Sequence, residues 1–268
     1  MVGKIKIAMG QMLVEAGQLD ANLSRACGMI REAAEKGSHI IVLPECMDLG
    51  WTHPGAKELA EPIPGKSSEI LCQAAKDANI YVVVGLTERL DQRIYNSAII
   101  ISNEGEIILT HRKINELSFA LDLYTIGDKI NIVETEFGRI GLAICADLRP
   151  EGDPIGHSLG LMGSRLLLSL MGSRLLLSPS AWAVPADHDK MNTENPYGQE
   201  WIGPYSEIAK KYQMTVVGVS NVGLVEGGEW DGWKCIGRSV AIGPNGKILA
   251  QGNYGEKAEE LIIIEVPY

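Results

Sequence analysis

The stretch KIKIAMGQMLVEAGQLDANLSRACGMIREAAEKGSHIIVLPE, Lys4 to Glu45, decides the fold class. KIKIAMGQ (Lys4 to Gln11) reads as a first strand. Asp20 is expected to cap a helix through NLSRACGMIREAAEK, where Leu23, Cys27, Ile30 and Ala34 recur at 3–4 spacing and form one apolar stripe. Gly37 ends that helix, and HIIVLPE follows as a buried strand that stops at Pro44-Glu45. Strand, amphipathic helix and strand in this order point to an α/β fold.

The alternation continues outward. Ser67 or Ser68 is expected to cap the helix EILCQAAKDAN, and the strand IYVVVGLTE comes after it. Hairpin signals then take over. YNSAIIIS and EGEIILTHRK flank a turn at Asn103-Glu104-Gly105, and NIVETEF and RIGLAICAD flank Gly138. A helix near Tyr205–Tyr212, the strand TVVGVSN, a hairpin of KCIGRSVAIGP and KILAQG around Pro244-Asn245-Gly246, and a closing strand ELIIIEV complete the chain. Mixed βα units and hairpins without a proline-rich or serine-rich linker predict one α/β domain over residues 1–268.

Composition narrows the function. Hydrophobic residues are 46% and charged residues 22% of 268, enough apolar surface for a sizeable core. With 24 Lys+Arg against 34 Asp+Glu, the net charge of −10 argues against nucleic acid held by a basic surface and against a polybasic membrane anchor. No stretch approaches the roughly 20 apolar residues of a membrane helix, and MVGKIKIAMGQMLVEAG does not read as a secretory signal. Five scattered cysteines without a CxxC pair disfavour a disulfide framework or a zinc site, so a cytoplasmic location is expected.

One segment is anomalous. LMGSRLLLS occurs at Leu161–Ser169 and again, unchanged, at Leu170–Ser178. A nine-residue period fits no solenoid and reads as a tandem duplication. Each copy resembles a helix end (LMGS) joined to a strand start (RLLLS), and one slot in the fold holds one such junction. The second copy is expected to form the strand, because it leads into PSAW, while the first extends the helix or bulges outward. The duplication is either a passive insertion or a change to the pocket or to assembly.

Three ionisable residues lie at or near the ends of apolar strands: Glu45 after IIVLP, Lys113 after IILTHR, and Cys145 within IGLAICAD. Strand ends are where α/β folds gather reactive groups. Singly, each has an ordinary reading: a solvated acid, a surface ammonium, a small buried hydrophobe. Together they form a complete set for acyl transfer. A carboxylate accepts the thiol proton, and an ammonium stabilises the thiolate and the oxyanion formed on attack at a carbonyl.

LPECMDLGW around Glu45, HRKINE around Lys113, GLAICADLR around Cys145 and LLLSPSAW (Leu175–Trp182) resemble, in order and spacing, the signature segments of the nitrilase (carbon–nitrogen hydrolase) superfamily. NSAIIISNEGEII resembles its central hairpin, and the likeness runs from Ile5 to about Val266. The resemblance implies an α-β-β-α sandwich whose subunits pair into an α-β-β-α-α-β-β-α homodimer or larger homo-oligomer. It also implies hydrolysis of a non-peptide C–N bond without metal or organic cofactor. Glu45 is then the base, Cys145 the nucleophile that forms a thioester, and Lys113 with the N–H of Ala146 the oxyanion holder.

Two features depart from the pattern. Many members carry a second glutamate before a Phe/Tyr-x-Pro-Gly segment. Here that segment is LYTIGD, with Ile126 in the proline slot, and the count back gives Ala120. Glu116 in KINEL is the nearby alternative, either a positioning acid or a surface charge. After the cysteine stand Ala146-Asp147 where nitrile-specific members have Trp-Glu, which favours a small carboxamide over a nitrile. An N-carbamoyl substrate and a catalytically idle binding or assembly role are the alternatives.

Trp182, Asp147, Ala146 and Tyr124 are expected at the substrate, and Arg149 is the nearest anion-binding candidate, unless it pairs with Asp147 or Glu151. Trp230 and Trp233 are expected to wall the pocket or an oligomer contact. Cys46 is expected to turn to the opposite side of its strand from Glu45, and Cys235 to be buried. Asp187, His188 and Asp189 are adjacent and cannot all face one ion, so no metal site is expected.

Overall fold

The computed structural model describes residues 3–150, 153–164, 173–188 and 197–267. The first strands are β1 (Lys4–Gln11), β2 (Ile40–Val42), β3 (Tyr81–Leu90), β4 (Arg93–Ile101) and β5 (Ile107–Arg112), with helices α1 (Leu19–Glu35), α2 (Ala56–Leu59) and α3 (Lys66–Ala78) between them. The later elements are β6 (Ile132–Thr135), β7 (Gly138–Leu142), α4 (Asp153–Ser164), β8 (Ser173–Ser180), β9 (Ala183–Val184) and α5 (Gln199–Tyr212). Strands β10 (Thr215–Ser220), β11 (Val222–Leu224), β12 (Lys234–Ile236), β13 (Val240–Ile242), β14 (Ile248–Gln251) and β15 (Glu260–Pro267) follow.

Two six-stranded sheets form, in the orders β15-β1-β2-β3-β4-β5 and β14-β13-β10-β8-β7-β6, beside a small sheet β11-β12-β9. β1, β2 and β3 run parallel, as do β7, β8 and β10, and hairpins or antiparallel strands extend each sheet outward. Alternate side chains of the central strands point to opposite faces, and both faces are covered. Ile7, Met9, Val42 and Val83 meet Ile140, Leu142, Leu177 and Val217 between the sheets. Ala8, Ile41, Val82 and Val84 face the other way, against Leu23, Ala26, Ile30 and Ala33 of α1 and Leu71 and Ala75 of α3. Ile155 and Leu159 of α4 and Tyr205, Ile208 and Ala209 of α5 cover Leu176 and Val216 on the second sheet. The layers are therefore α-β-β-α.

Several local expectations need correction. α1 starts at Leu19 behind Gln18, so Asp20 lies inside the first turn, where its charge suits the helix dipole, and caps nothing. α3 is capped from Gly65, and Ser68 reaches back to accept the Gly65 N–H at 2.8 Å. β2 is only three residues long. KCIGRSVAIGP is not one strand: Gly237 (φ 69°) and Arg238 (φ 67°) break it, leaving β12 in the small sheet and β13 in the second large one.

The duplicated segment divides as expected where it is described. The LMGS of the first copy ends α4, and the SRLLLS of the second copy opens β8. How the rest of the first copy runs lies outside the described residues.

Candidate active site

The chain leaves β2 at Val42 and turns sharply at Pro44-Glu45-Cys46, with Cys46 at φ 43°. Gly85 on β3 makes room for this turn. A Cβ there would come within 2.5 Å of the Glu45 Cα, so the strand can pass so close only without a side chain. The Glu45 N–H donates to the Ser180 carbonyl at 3.2 Å, which joins the end of β2 to the end of β8 in the other sheet. Cys145 begins a short 3-10 turn (Cys145–Leu148) just past β7. It sits at φ 45°, a left-handed conformation that a non-glycine residue holds only under constraint from its surroundings. One constraint is the Cys145 N–H, which donates to Ser178 Oγ at 3.1 Å. Lys113 follows β5 directly, and its N–H donates to the Asn96 carbonyl on β4 at 2.8 Å.

These three segments, far apart in sequence, converge. Lys113 Nζ donates to Glu45 Oε1 at 2.7 Å, with both side chains 1% exposed. The same oxygen accepts Asn96 Nδ2 at 2.6 Å. Glu45 Oε2 is buried and takes no hydrogen bond from a nitrogen or oxygen donor. Glu116 reaches in as well, its Oε2 3.5 Å from Lys113 Nζ.

Burial disfavours the charged form of each group, and the neighbours decide how far. Burial, followed by the Glu45 charge, pushes the Cys145 thiol up to about 12, against the pull of Lys113 and of the Ala181 N–H. Burial also pushes the Glu116 carboxyl up to about 7, with Lys113 pulling it down and Glu45 and Asp147 pushing it up. Burial works against the Lys113 ammonium, but Glu116 and Glu45 more than offset it and hold the amine well above the ordinary lysine value. At neutral pH the site thus holds an ammonium and an intact thiol. A thiol in this state can attack a carbonyl only if its proton is removed.

Asp147 lies elsewhere than expected. Its side chain is fully buried and accepts from His111 Nε2 at 2.8 Å and from three backbone N–H groups, Ile114 (3.0 Å), Asn115 (2.8 Å) and Ile144 (3.0 Å). Burial alone would raise its pKa, but His111 and these N–H groups outweigh burial and hold the carboxyl below its usual range. Asp147 therefore clamps the Lys113 loop to the Cys145 turn and does not line the cavity. Tyr124 is corrected in the same way. It is buried in one cluster with Trp51, accepts the Thr52 N–H at 3.0 Å, and is not among the residues lining the cavity at Cys145.

Cys145 opens into a cavity of ≈ 50 Å³ lined also by Lys113, Ala146, Trp182, Trp51 and Trp230. Arg149, Ala183, Glu200, Trp201 and Trp230 are shared with an adjoining chamber of ≈ 380 Å³, which Trp233, Tyr197 and His188 also line. Trp182 stacks on Trp201 (4.1 Å between centroids), and Trp230 stacks on Trp233 (4.1 Å). Arg149 pairs with Glu200 at 3.2 Å, not with Asp147. Glu151 and Asp189 lie outside the described residues.

The structure thus brings together Glu45, Lys113, Cys145 and Glu116, with Ala146 and Trp182 at the cavity, and sets Asp147 and Tyr124 apart from it. Cys235 is buried on β12, and Cys46 lies in a turn, its thiol donating to Asn96 Oδ1 at 3.4 Å. Asn96, His111 and Ser178 are site residues that sequence reasoning did not single out. Asn96 had a signal, as a polar residue opening the apolar run NSAIII. Ser178 had none, because its role depends on a neighbour in another segment.

The carbon–nitrogen hydrolase family model matches residues 6–268. Omega-amidase NIT2-A of Xenopus laevis is 34% identical over 158 residues, covering 55% of this chain and 57% of that protein. The chain thus aligns with little more than half the length of that relative. A nitrilase of Pyrococcus abyssi is 28% identical over 268 residues, covering 98% of this chain and 89% of its own length. In fold, an amidase from Nesterenkonia sp. superposes with a TM-score of 0.79 at 17% identity, over 98% of this chain and 90% of that one. Saccharomyces cerevisiae Nit3, a member of branch 10 of the nitrilase superfamily, does so with 0.79 at 23% identity and the same coverages. With the signature segments meeting at one cavity inside an α-β-β-α sandwich, the chain belongs to the carbon–nitrogen hydrolase family.

Proposed function

We propose that this protein hydrolyses small carboxamides to the carboxylic acid and ammonia through a thioester on Cys145. The observation that carries the reading is the meeting of Lys113 and Cys145 at one small cavity, with Lys113 Nζ 2.7 Å from the buried Glu45 carboxylate. In this scheme Glu45 takes the thiol proton as sulfur attacks the amide carbon. Lys113 and the Ala146 N–H receive the developing oxyanion. The proton passes from Glu45 to the leaving nitrogen, and ammonia departs. Glu45 then takes a proton from water, which attacks the thioester; the acid leaves, and Glu45 returns that proton to the Cys145 sulfur. No step of this scheme calls for a metal or an organic cofactor.

A cavity of ≈ 50 Å³ has room for little more than the carboxamide group, so the acyl substituent extends past Arg149 and Glu200 into the adjoining chamber. The name of the omega-amidase relative points to an amide at the end of an acyl chain, whose other end can carry an anionic group. Arg149 is the cation placed to meet one, in competition with Glu200. A nitrile substrate is the second reading, favoured by the nitrilase relative that aligns along nearly the whole chain. The idle-member alternative is weakened by Glu116, whose buried carboxyl beside Lys113 supplies a second acid despite the altered LYTIGD segment.

Mass spectrometry of the protein after incubation with aliphatic, dicarboxylic monoamide and nitrile panels tests the proposal. The expected result is an acyl adduct on Cys145 with amides and none in Cys145→Ala. Unchanged amide hydrolysis by Cys145→Ala would overturn it.

A further inference from the structure

The two oxygens of the Glu45 carboxylate have different surroundings. Oε1 accepts both Asn96 Nδ2 (2.6 Å) and Lys113 Nζ (2.7 Å), while Oε2 is buried without a nitrogen or oxygen donor. Something must keep Asn96 facing this way. An amide flip would place Oδ1 against the carboxylate and lose the bond.

The surroundings supply that constraint as a chain of buried hydrogen bonds. The Thr52 N–H donates to the Tyr124 hydroxyl oxygen at 3.0 Å. Tyr124 Oη lies 3.7 Å from Cys46 Sγ, and the Cys46 thiol donates to Asn96 Oδ1 at 3.4 Å. Since the Cys46 proton goes to Asn96, the hydroxyl proton of Tyr124 points to the Cys46 sulfur. Each member has one direction in which it can donate, so Asn96 Oδ1 faces the thiol and Nδ2 faces Glu45. Asn96 and Cys46 are fully buried and Tyr124 is 1% exposed, so no water competes. Burial also keeps Cys46 and Tyr124 protonated, as the chain requires. The Asn96 carbonyl meanwhile receives the Lys113 N–H, so one residue of β4 holds both the acid and the ammonium.

We propose that Asn96 is a positioning residue for the proton acceptor. Oriented by Tyr124 and Cys46, it commits Glu45 Oε1 to fixed donors and leaves Oε2 as the oxygen that takes the Cys145 proton. This rests on the reading of Glu45 as the base.

The test needs no knowledge of the natural substrate. Iodoacetamide alkylates Cys145: the thiol proton goes to Glu45, a sulfur–carbon bond forms, the carbon–iodine bond breaks and iodide leaves. Peptide mass spectrometry gives the rate at Cys145 as a function of pH. The wild type is expected to show an acid limb and then a plateau. Asn96→Asp sets a second carboxyl against Glu45, so the limb should move up by at least one pH unit and the plateau fall at least tenfold. Cys46→Val, which removes the donor to Asn96 Oδ1, should also lower the plateau about tenfold, and Cys46→Ser, which keeps a donor, should recover most of the loss. The valine and serine pair stands alone if the aspartate variant does not fold. Wild-type profiles for Asn96→Asp, or equal rates for the valine and serine variants, would overturn the inference. Glu45→Gln separates the two readings. A wild-type plateau there defeats the base assignment itself, whereas its loss alongside normal Asn96 and Cys46 variants defeats only the positioning role.

Discussion

His111 Nε2 and Asp147 Oδ2 lie 2.8 Å apart, with side chains 1% and 0% exposed, and this pair joins the loop carrying Lys113 to the turn carrying Cys145. Because Asp147 also accepts three backbone N–H groups from the same two segments, it is the rigid link between Lys113 and Cys145. Asp147→Asn turns an amide N–H₂ toward donors that have no other acceptor. A loss of about 3 kcal/mol is expected, the cost of leaving buried donors unpaired. Thermal unfolding should show it, and kcat on any amide the enzyme accepts should fall while KM stays within about threefold.

Lys113 sits between two buried carboxyls, 2.7 Å from Glu45 and 3.5 Å from Glu116. Lys113→Met leaves both without their counter-charge. The acids should take up protons, Cys145 should lose its alkylation plateau, and the fold should lose about 3 kcal/mol. Lys113→Arg restores the charge but not the geometry, since a planar guanidinium is larger than the ammonium and directs its donors differently. Activity below one-tenth of wild type is expected in both variants, read as ammonia release.

Glu116 gives stability a pH dependence of definite sign. Its carboxyl titrates at about 7 when folded against 4.5 in the unfolded chain, so the folded protein holds a proton that the unfolded chain releases. That contribution is present below pH 4.5 and declines as the pH rises to about 7. Glu116→Gln lacks this decline. Melting temperatures measured across that window should therefore move in favour of the variant as the pH rises. Parallel curves would contradict the assigned environment of Glu116.

Deleting one copy of LMGSRLLLS should leave the chemistry in place. The helix α4 ends on the first LMGS and β8 begins on the second SRLLLS, so a single copy still supplies both parts. Among the described residues that line the Cys145 cavity, none belongs to the repeat, and Ser178 is kept by the deletion. Alkylation of Cys145 and amide turnover should stay within about twofold of wild type. The elution volume on gel filtration then reports separately any effect on assembly.

The two strands and the amphipathic helix of Lys4–Glu45 were legible from periodicity, because a buried strand demands an apolar run and a helix covering a sheet demands one apolar stripe. So were the turns at Gly105 and Gly138. Element ends were less legible. The break inside KCIGRSVAIGP came from the positive φ at Gly237 and Arg238, and Ser68 proved to be the responding partner of a glycine cap. Glu116 was ambiguous in the sequence because an acid after a strand looks the same whether solvated or buried. Only folding put Lys113 beside it.

The order of residue types along the chain determined the α/β class and singled out Glu45, Lys113 and Cys145, since those depend on local patterns and on the chemistry of side chains. The tertiary structure alone decided that Asp147 clamps and does not bind, that Tyr124 supports Cys46, and that Asn96 faces Glu45. Each of these roles is a hydrogen bond between segments distant in the chain. Its direction is set by which donors and acceptors packing leaves without water, and no local stretch of sequence records that.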